Sequence, residues 1–196
     1  EAQSLPAPLA VPTLGALSHL AAAYGSSIVF ATATQPAFDC LDSAVRKVAA
    51  SGWQPRDIVP DHPALFASLK RVRVTWPSDG ERRTWDALAE EIQGTDQVLV
   101  VVNLKRHALA LMEALGDTSG IVHLSTNLCP EHRRAVLDRV RASLHSGQPC
   151  RLISTQCVEA GVDLDFPRVY RALAPLEAIA QAAGRCNREG RQNAQG

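Results

Sequence analysis

Gln97-Val98-Leu99-Val100-Val101-Val102 sets the fold class. Behind Gln97 the run is wholly apolar and mostly β-branched, with no polar face to turn to water. A strand of that kind is covered on both sides, the condition of a parallel sheet packed between helices. Asn103 follows, placed to cap a helix whose Leu104, Ala108, Leu111 and Leu115 fall on one stripe, with Gly116 closing it. Ile121–Leu124 reads as the next strand. Pro130 sits well in the first turn of a helix carrying Val136, Leu137, Val140 and Leu144. Arg151–Thr155 and Arg168–Arg171 are two further strands, and Pro175 begins a helix that runs to Gly184. On the N-terminal side, Thr84–Ile92 is helical. Strands alternating with helices predict an α/β fold with right-handed crossovers.

The front of the chain is less regular. Residues 1–12, rich in Pro and Ala, read as an extended lead-in. Residues 13–24 form a helix on Leu14, Leu17, Leu20 and Ala21, and Ser27–Phe30 is a short apolar strand. A helix on Leu41, Ala44, Val45 and Val48 ends near Ser51-Gly52. Pro55, Pro60 and Pro63 then interrupt the chain and mark a junction between two domains. Ala64–Leu69 is a short helix, and the alternation in Arg71–Trp76 predicts a half-buried edge strand.

Composition narrows the function classes. With 46% hydrophobic and 20% charged residues and zero formal charge, the chain is globular and has no global field drawing it to DNA or anionic lipid. No apolar run reaches membrane-spanning length and no signal peptide is visible, so a cytoplasmic location and no membrane partner are expected. Basic residues are 17 Arg against 3 Lys, which suits bidentate phosphate or carboxylate contacts and equally reflects GC-rich coding. Cys40, Cys129, Cys150, Cys157 and Cys186 form no CxxC pair and have no His at metal spacing, so reduced thiols and no metal site are expected.

Three segments carry chemistry. Gln181-Ala-Ala-Gly-Arg185-Cys-Asn-Arg188 places a Gln and two Arg four and three residues apart, on roughly one face if the helix continues through Gly184. Paired guanidinium forks suit a γ-phosphoryl group; a solvated helix end meeting carboxylates has the same sequence. Ile153-Ser-Thr-Gln-Cys-Val-Glu-Ala-Gly-Val-Asp-Leu-Asp-Phe166 leaves a strand at the edge where open α/β sheets place ligands. Its hydroxyls and N–H groups suit a nucleic-acid phosphate, and Asp163 and Asp165 can equally cap the local backbone. Ala31-Thr-Ala-Thr-Gln-Pro36 is a Thr-rich loop after a strand. Trp53, Trp76 and Trp85 suit base stacking by type, but their spacing favours packing.

In this order the three segments resemble motifs III, V and VI of superfamily 2 helicases. The gap-free Ser154–Asp165 string is most similar to the helicase part of the CRISPR-associated helicase–nuclease of type I systems. The resemblance covers essentially the whole chain. It implies a RecA-like second lobe at 66–196, a parallel sheet flanked by helices, preceded at 1–60 by the rear part of the first RecA-like lobe with its linker. It further implies that Arg185 and Arg188 reach ATP held by the opposite lobe, Arg188 as the arginine finger. Gln181, Gly161 and Asp163 would face the nucleotide cleft, and Thr155 and Gln156 the DNA. Thr32 and Thr34 would couple the nucleotide site to the DNA track. In the block around His123, Ser125, Thr126, His132 and Arg133, the nucleic-acid contacts would come from Ser125 and Arg133, the latter beside a helix start that suits a phosphate. Asn103 matches the Asn of motif IV. Glu1-Ala-Gln-Ser resembles the end of motif II, with Glu1 as the formal counterpart of the water-activating Glu.

The resemblance implies a parent enzyme that is an ATP- and Mg²⁺-dependent 3′–5′ translocase on single-stranded DNA. It would be loaded by an RNA-guided CRISPR surveillance complex and linked to a His-Asp nuclease domain. The chain contains neither the phosphate-binding Gly-Lys loop nor the motif II Asp. Alone it is therefore expected to hydrolyse no ATP and to bind no cofactor tightly. Another superfamily 2 helicase, or a truncated non-enzymatic module that binds nucleic acid or a partner, are the alternatives.

Overall fold

The computed structural model describes residues 5–32, 36–158 and 162–190. They belong to two compact units, divided between Ser68 and Leu69.

The second unit is built on four parallel strands, β1 (Gln97–Val101), β2 (Ile121–Leu124), β3 (Cys150–Ser154) and β4 (Val169–Arg171), in the order β2-β3-β1-β4. Leu99 lies opposite Leu152 on one side of β1 and Val169 on the other. Alternate residues of β1 serve opposite faces. Val98 and Val100 pack with Ile92, Ala108 and Leu111 from helices α4 (Trp85–Gln93) and α5 (Lys105–Leu115). Leu99 and Val101 pack with Val136 and Val140 of α6 (Pro130–His145), together with Leu164 and Phe166. Helices therefore cover both faces, as the apolar run requires. Each fully buried Leu or Val contributes roughly 1.5–3 kcal/mol.

One charged residue is built into this core. Arg151 on β3 is 4% exposed. Its Nε and Nη2 donate to the carbonyls of Ile92 and Gln93 (3.2 and 2.9 Å), and Nη1 donates to Ser119 (2.8 Å). Two of these acceptors lie at the C-terminal end of α4, where carbonyls lack intrahelical partners and the helix dipole favours a cation. Asp96, at 3.8 Å and 82% exposed, adds a weak countercharge.

The first unit contains α1 (Ala7–Tyr24), a 3-10 turn (Phe38–Leu41), the single-turn α2 (Asp42–Val45) and α3 (His62–Ser68). Leu14, Phe38, Val45 and Trp53 form its buried cluster, with Phe30 edge-on to both Phe38 and Trp53. Gly52, at φ +68°, turns the chain back: its carbonyl accepts from the Ser18 hydroxyl (2.5 Å). Asp42 closes the turn, accepting from the Trp53 N–H (2.6 Å) and Arg46 Nε (2.9 Å).

Several local expectations are corrected. α1 begins at Ala7, not residue 13, because Pro8 occupies the first turn, where its missing N–H is not needed. Pro12 inside the helix forfeits one bond and is tolerated. Ser27–Phe30 is not a strand: among the described residues of this unit there is no strand to pair with it. The expected helix around 37–51 is broken into short turns, held by Asp42. Arg71–Trp76 is irregular and mostly exposed. Asn103 does not cap α5, whose N-cap is Leu104. Instead its Nδ2 donates to Leu173 and its Oδ1 accepts from Arg171, joining the ends of β1 and β4.

Arg151→Ala removes three charge-assisted bonds and leaves carbonyls dry at a helix end. It is expected to cost about 3 kcal/mol in urea unfolding. In the first unit, the Trp53 N–H and then the Arg46 guanidinium hold the Asp42 carboxyl below its ordinary value of 3.8. A depressed carboxyl stabilises the fold fully above its unfolded pKa and ceases to do so as pH falls through the folded one. The stability difference between the wild type and Asp42→Asn is therefore expected to be full above the ordinary carboxylate range and to shrink as pH falls below it, read by tryptophan fluorescence.

Candidate functional site

The site forms where the last helix stops. α7 (Leu176–Ala183) ends with Gly184 N–H bonded to Ala180, and the next N–H groups, of Arg185 and Cys186, bond to Ala182 and Ala183. The chain then pairs with the segment leading into β4. Phe166 N–H donates to the Arg185 carbonyl (2.8 Å) and Asn187 N–H to the Phe166 carbonyl (3.0 Å), a parallel bridge between Phe166 and Cys186. Asn187, at φ 45°, is the one described residue other than glycine with positive φ, a conformation Asn adopts at low cost. The helix does not run through Gly184, so Gln181, Arg185 and Arg188 do not share one helical face. The bridge and the left-handed turn redirect the two arginines instead.

Both arginines turn back onto the segment that follows β3. Arg185 is 9% exposed, and its Nε donates to the Val158 carbonyl (3.1 Å). Burial lowers its pKa first, the neighbouring Arg188 charge adds to this, and Asp163 opposes both. Arg188 is exposed, and its Nε lies 2.9 Å from Asp163 Oδ1. Asp165 holds the Arg188 backbone: its two carboxylate oxygens accept from the Arg188 N–H (2.6 Å) and the Glu189 N–H (3.2 Å). This is the backbone capping expected of such an Asp, directed at residues 23 and 24 positions away rather than at its own loop.

The other candidates are placed as follows. Gln181 is half-buried on α7, and among the described residues it makes no hydrogen bond to either arginine. Thr155 is 6% exposed, with its hydroxyl donating to Cys157 Sγ (3.7 Å), whereas Gln156, in a 3-10 turn, is exposed. Ser125 is fully buried, and its Oγ accepts from the Asn127 N–H (3.4 Å). Asn127 Oδ1 in turn accepts from Lys105 Nζ (2.5 Å), a basic residue at this edge that the motif reading passed over. Arg133 is half-buried in the first turn of α6, with its Nε shielded and unbonded. Thr32 lies half-buried in the first unit. Glu1, Thr34 and Gly161 lie outside the described residues. Among those described, no three His, Cys, Asp or Glu side chains gather as metal ligands would. Also among them, no helix is long and apolar enough to cross a membrane.

Chemically, the arrangement presents one buried and one exposed guanidinium above a loop that leaves a central parallel strand. Among the described residues, the ion pair of the Arg188 side chain is through Nε, to Asp163. Two adjacent cations face two carboxylates: Asp163 meets the Arg188 side chain and Asp165 is engaged by the backbone N–H groups of Arg188 and Glu189.

A parallel sheet covered by helices on both faces, with loops at the ends of its strands carrying the candidate residues, is a RecA-like fold. The chain belongs to the family described as CRISPR-associated nuclease/helicase Cas3, C-terminal, whose model matches residues 94–191, half of its length. It is 47% identical over 68 residues to the CRISPR-associated nuclease/helicase Cas3 of Haloferax volcanii, a match spanning 35% of this chain and 7% of that protein. Among solved structures it is similar to T. fusca Cas3 with ATP, at 20% identity and TM-score 0.48, covering 60% of this chain and 15% of that one. A CRISPR-associated protein matches at 25% identity and TM-score 0.48, over 76% and 20% of the two chains. S. cerevisiae Dbp5 bound to RNA and ADP BeF3 matches at 17% identity and TM-score 0.49, over 85% and 42%. The chain thus spans less than half the length of each of these relatives, from 7% to 42%.

Asp165→Ala is expected to raise amide hydrogen exchange at Arg188 and Glu189 about tenfold or more, with the amides of β1 and β3 unchanged.

Proposed function

We propose that this chain is the arginine-bearing part of an ATP-dependent 3′–5′ translocase on single-stranded DNA that acts in CRISPR interference. The observation that carries this reading is the convergence of Arg185 and Arg188 on the segment after β3, with Arg188 exposed and held at its Nε by Asp163. ATP, when bound, supplies the phosphoryl transfer whose free energy drives movement. The donor set here fits its phosphates: the Nη1 and Nη2 donors of Arg188 would neutralise charge on the γ-phosphoryl group, and buried Arg185 would hold the loop beside it. Asp163 orients Arg188 until an anion competes for the guanidinium. Gln181 and Gly161 would line the same cleft. Among the described residues no set of carboxylates gathers as a Mg²⁺ clamp would, and the reading assigns Mg²⁺ to other parts of the complete protein.

DNA is assigned to the same edge of the sheet. Gln156 and Arg133 supply exposed or half-exposed donors, and buried Ser125 and Thr155 shape the loops that present them. Contacts of this kind hold a phosphate backbone and read no bases, as a translocase requires. Thr32 and Thr34 are assigned to coupling, and Glu1 to activation of water. The remaining partners of the complete protein would be an RNA-guided CRISPR surveillance complex, the rest of the first RecA-like lobe and a His-Asp nuclease domain.

DNA-stimulated ATP hydrolysis by the full-length protein tests the proposal. Arg188→Ala is expected to reduce kcat about 100-fold or more. Equal turnover in wild type and variant would remove Arg188 from catalysis and the proposal with it. The 196 residues alone, which include no Gly-Lys loop, are expected to show no protein-dependent turnover.

A further inference from the structure

Two side chains hold the Arg188 backbone, one at its N–H and one at its carbonyl, and only one of them lies in a helicase-like motif. Asp165 takes its N–H, as described above. Its carbonyl accepts from Nη1 of Arg71. The same residue is held a second time, because the Arg71 carbonyl accepts from Asn187 Nδ2 (2.9 Å). Arg71 stands 117 residues before Arg188, in an exposed, irregular segment three positions into the second unit. A side chain on an irregular exposed segment ordinarily samples many rotamers, and holding one long side chain costs about 1.5–2 kcal/mol of entropy. Here the reciprocal bonds, side chain to backbone in both directions, give the segment a defined place on the turn. They also support Asn187 in its left-handed conformation, since the residue is 6% exposed and its buried polar groups must be satisfied.

We infer that Arg71 is a positioning residue for Arg188. It acts on the backbone of the catalytic turn, through the Arg188 carbonyl and the Asn187 amide, and touches no phosphate. This rests on the proposed role of Arg188. A misplaced guanidinium lowers the rate of the chemical step, whereas initial nucleotide binding depends mainly on other groups. Loss of Arg71 therefore falls on kcat. Lysine at the same position keeps a donor for the Arg188 carbonyl and leaves the backbone bond from Asn187 untouched.

The test is steady-state, single-stranded-DNA-stimulated ATP hydrolysis by the full-length protein carrying Arg71→Ala, Arg71→Lys or Arg188→Ala, with thermal unfolding of each. Arg71→Ala is expected to lower kcat about tenfold, with KM for ATP within about twofold and an unchanged unfolding midpoint. Arg71→Lys is expected to recover most of the rate. Full activity in Arg71→Ala beside a crippled Arg188→Ala overturns the inference alone. A rise in KM at constant kcat also overturns it, by making Arg71 a nucleotide contact. A lowered unfolding midpoint with the same rate loss in both Arg71 variants overturns it by showing a role in folding only. Full activity in Arg188→Ala overturns the role of Arg188 and this inference together.

Discussion

Two backbone bonds decide where the arginines go. Phe166 is fully buried in the main core, so its position is set by packing that does not depend on the site. Its N–H and C=O take the carbonyl of Arg185 and the N–H of Asn187. A polypeptide leaving α7 must therefore run alongside residue 166 for one pair of bonds. That single pairing stops the helix, turns Arg185 inward to the Val158 carbonyl, and brings Arg188 beside Asp163 and Asp165. Were the helix to continue, Arg188 would be carried about 1.5 Å further along the axis per residue and away from that loop. The strength of the arrangement is that a packed aromatic ring, and no mobile surface charge, supplies its reference point.

The sheet beneath it is held just as unequally. β1 is central, paired on both sides and covered on both faces, which is why its residues are nearly all fully buried. β3 carries Arg151, a charge that packing alone would exclude. It is retained because α4 ends against this strand and leaves carbonyls that only a multidentate donor reaches together. The helix end thereby gains a partner and the strand a fixed neighbour. Burial pushes the thiol of Cys150, one residue earlier, up to about 11 against the opposing charges of Arg139 and Arg151, so it behaves as an apolar side chain.

The second unit was legible in the sequence because its signals are local and redundant. The run after Gln97, the stripe on α5 and Pro130 at the start of α6 each specify an element without reference to the rest of the chain. The segments that were misread share a different property: their conformation depends on a partner far away. Ser27–Phe30 has strand composition but no described neighbour to pair with. Asn103 has cap chemistry, yet the carbonyl of Leu173 and the guanidinium of Arg171 compete successfully for its amide. Arg71 has the alternation of an edge strand and instead bonds to a turn more than a hundred residues on. The arginine-bearing motif was visible as a string of residue types. Its geometry was not, because the Phe166–Cys186 bridge that bends it has no sequence signature, and the left-handed Asn187 is only weakly signalled by its type.

The same geometry separates the two arginines, which sequence alone presents as a pair. A guanidinium that is to meet a charge developing during a reaction must be able to exchange its present partner for that charge. Arg185 is poorly suited to such an exchange. It is almost completely buried, already donates to a backbone carbonyl, and its release would leave the Val158 carbonyl in an apolar cluster without that donor. Arg188 is bound through one nitrogen to a carboxylate that is itself 80% exposed, an interaction worth little in water and readily replaced by a more highly charged anion. Its backbone, by contrast, is held by Asp165 on one side and Arg71 on the other. A loosely held side chain on a firmly held backbone is the combination a transferable cation needs. Burial and backbone bonding thus fit Arg185 to holding the loop and leave Arg188 the guanidinium better able to exchange its partner, as the proposed function requires.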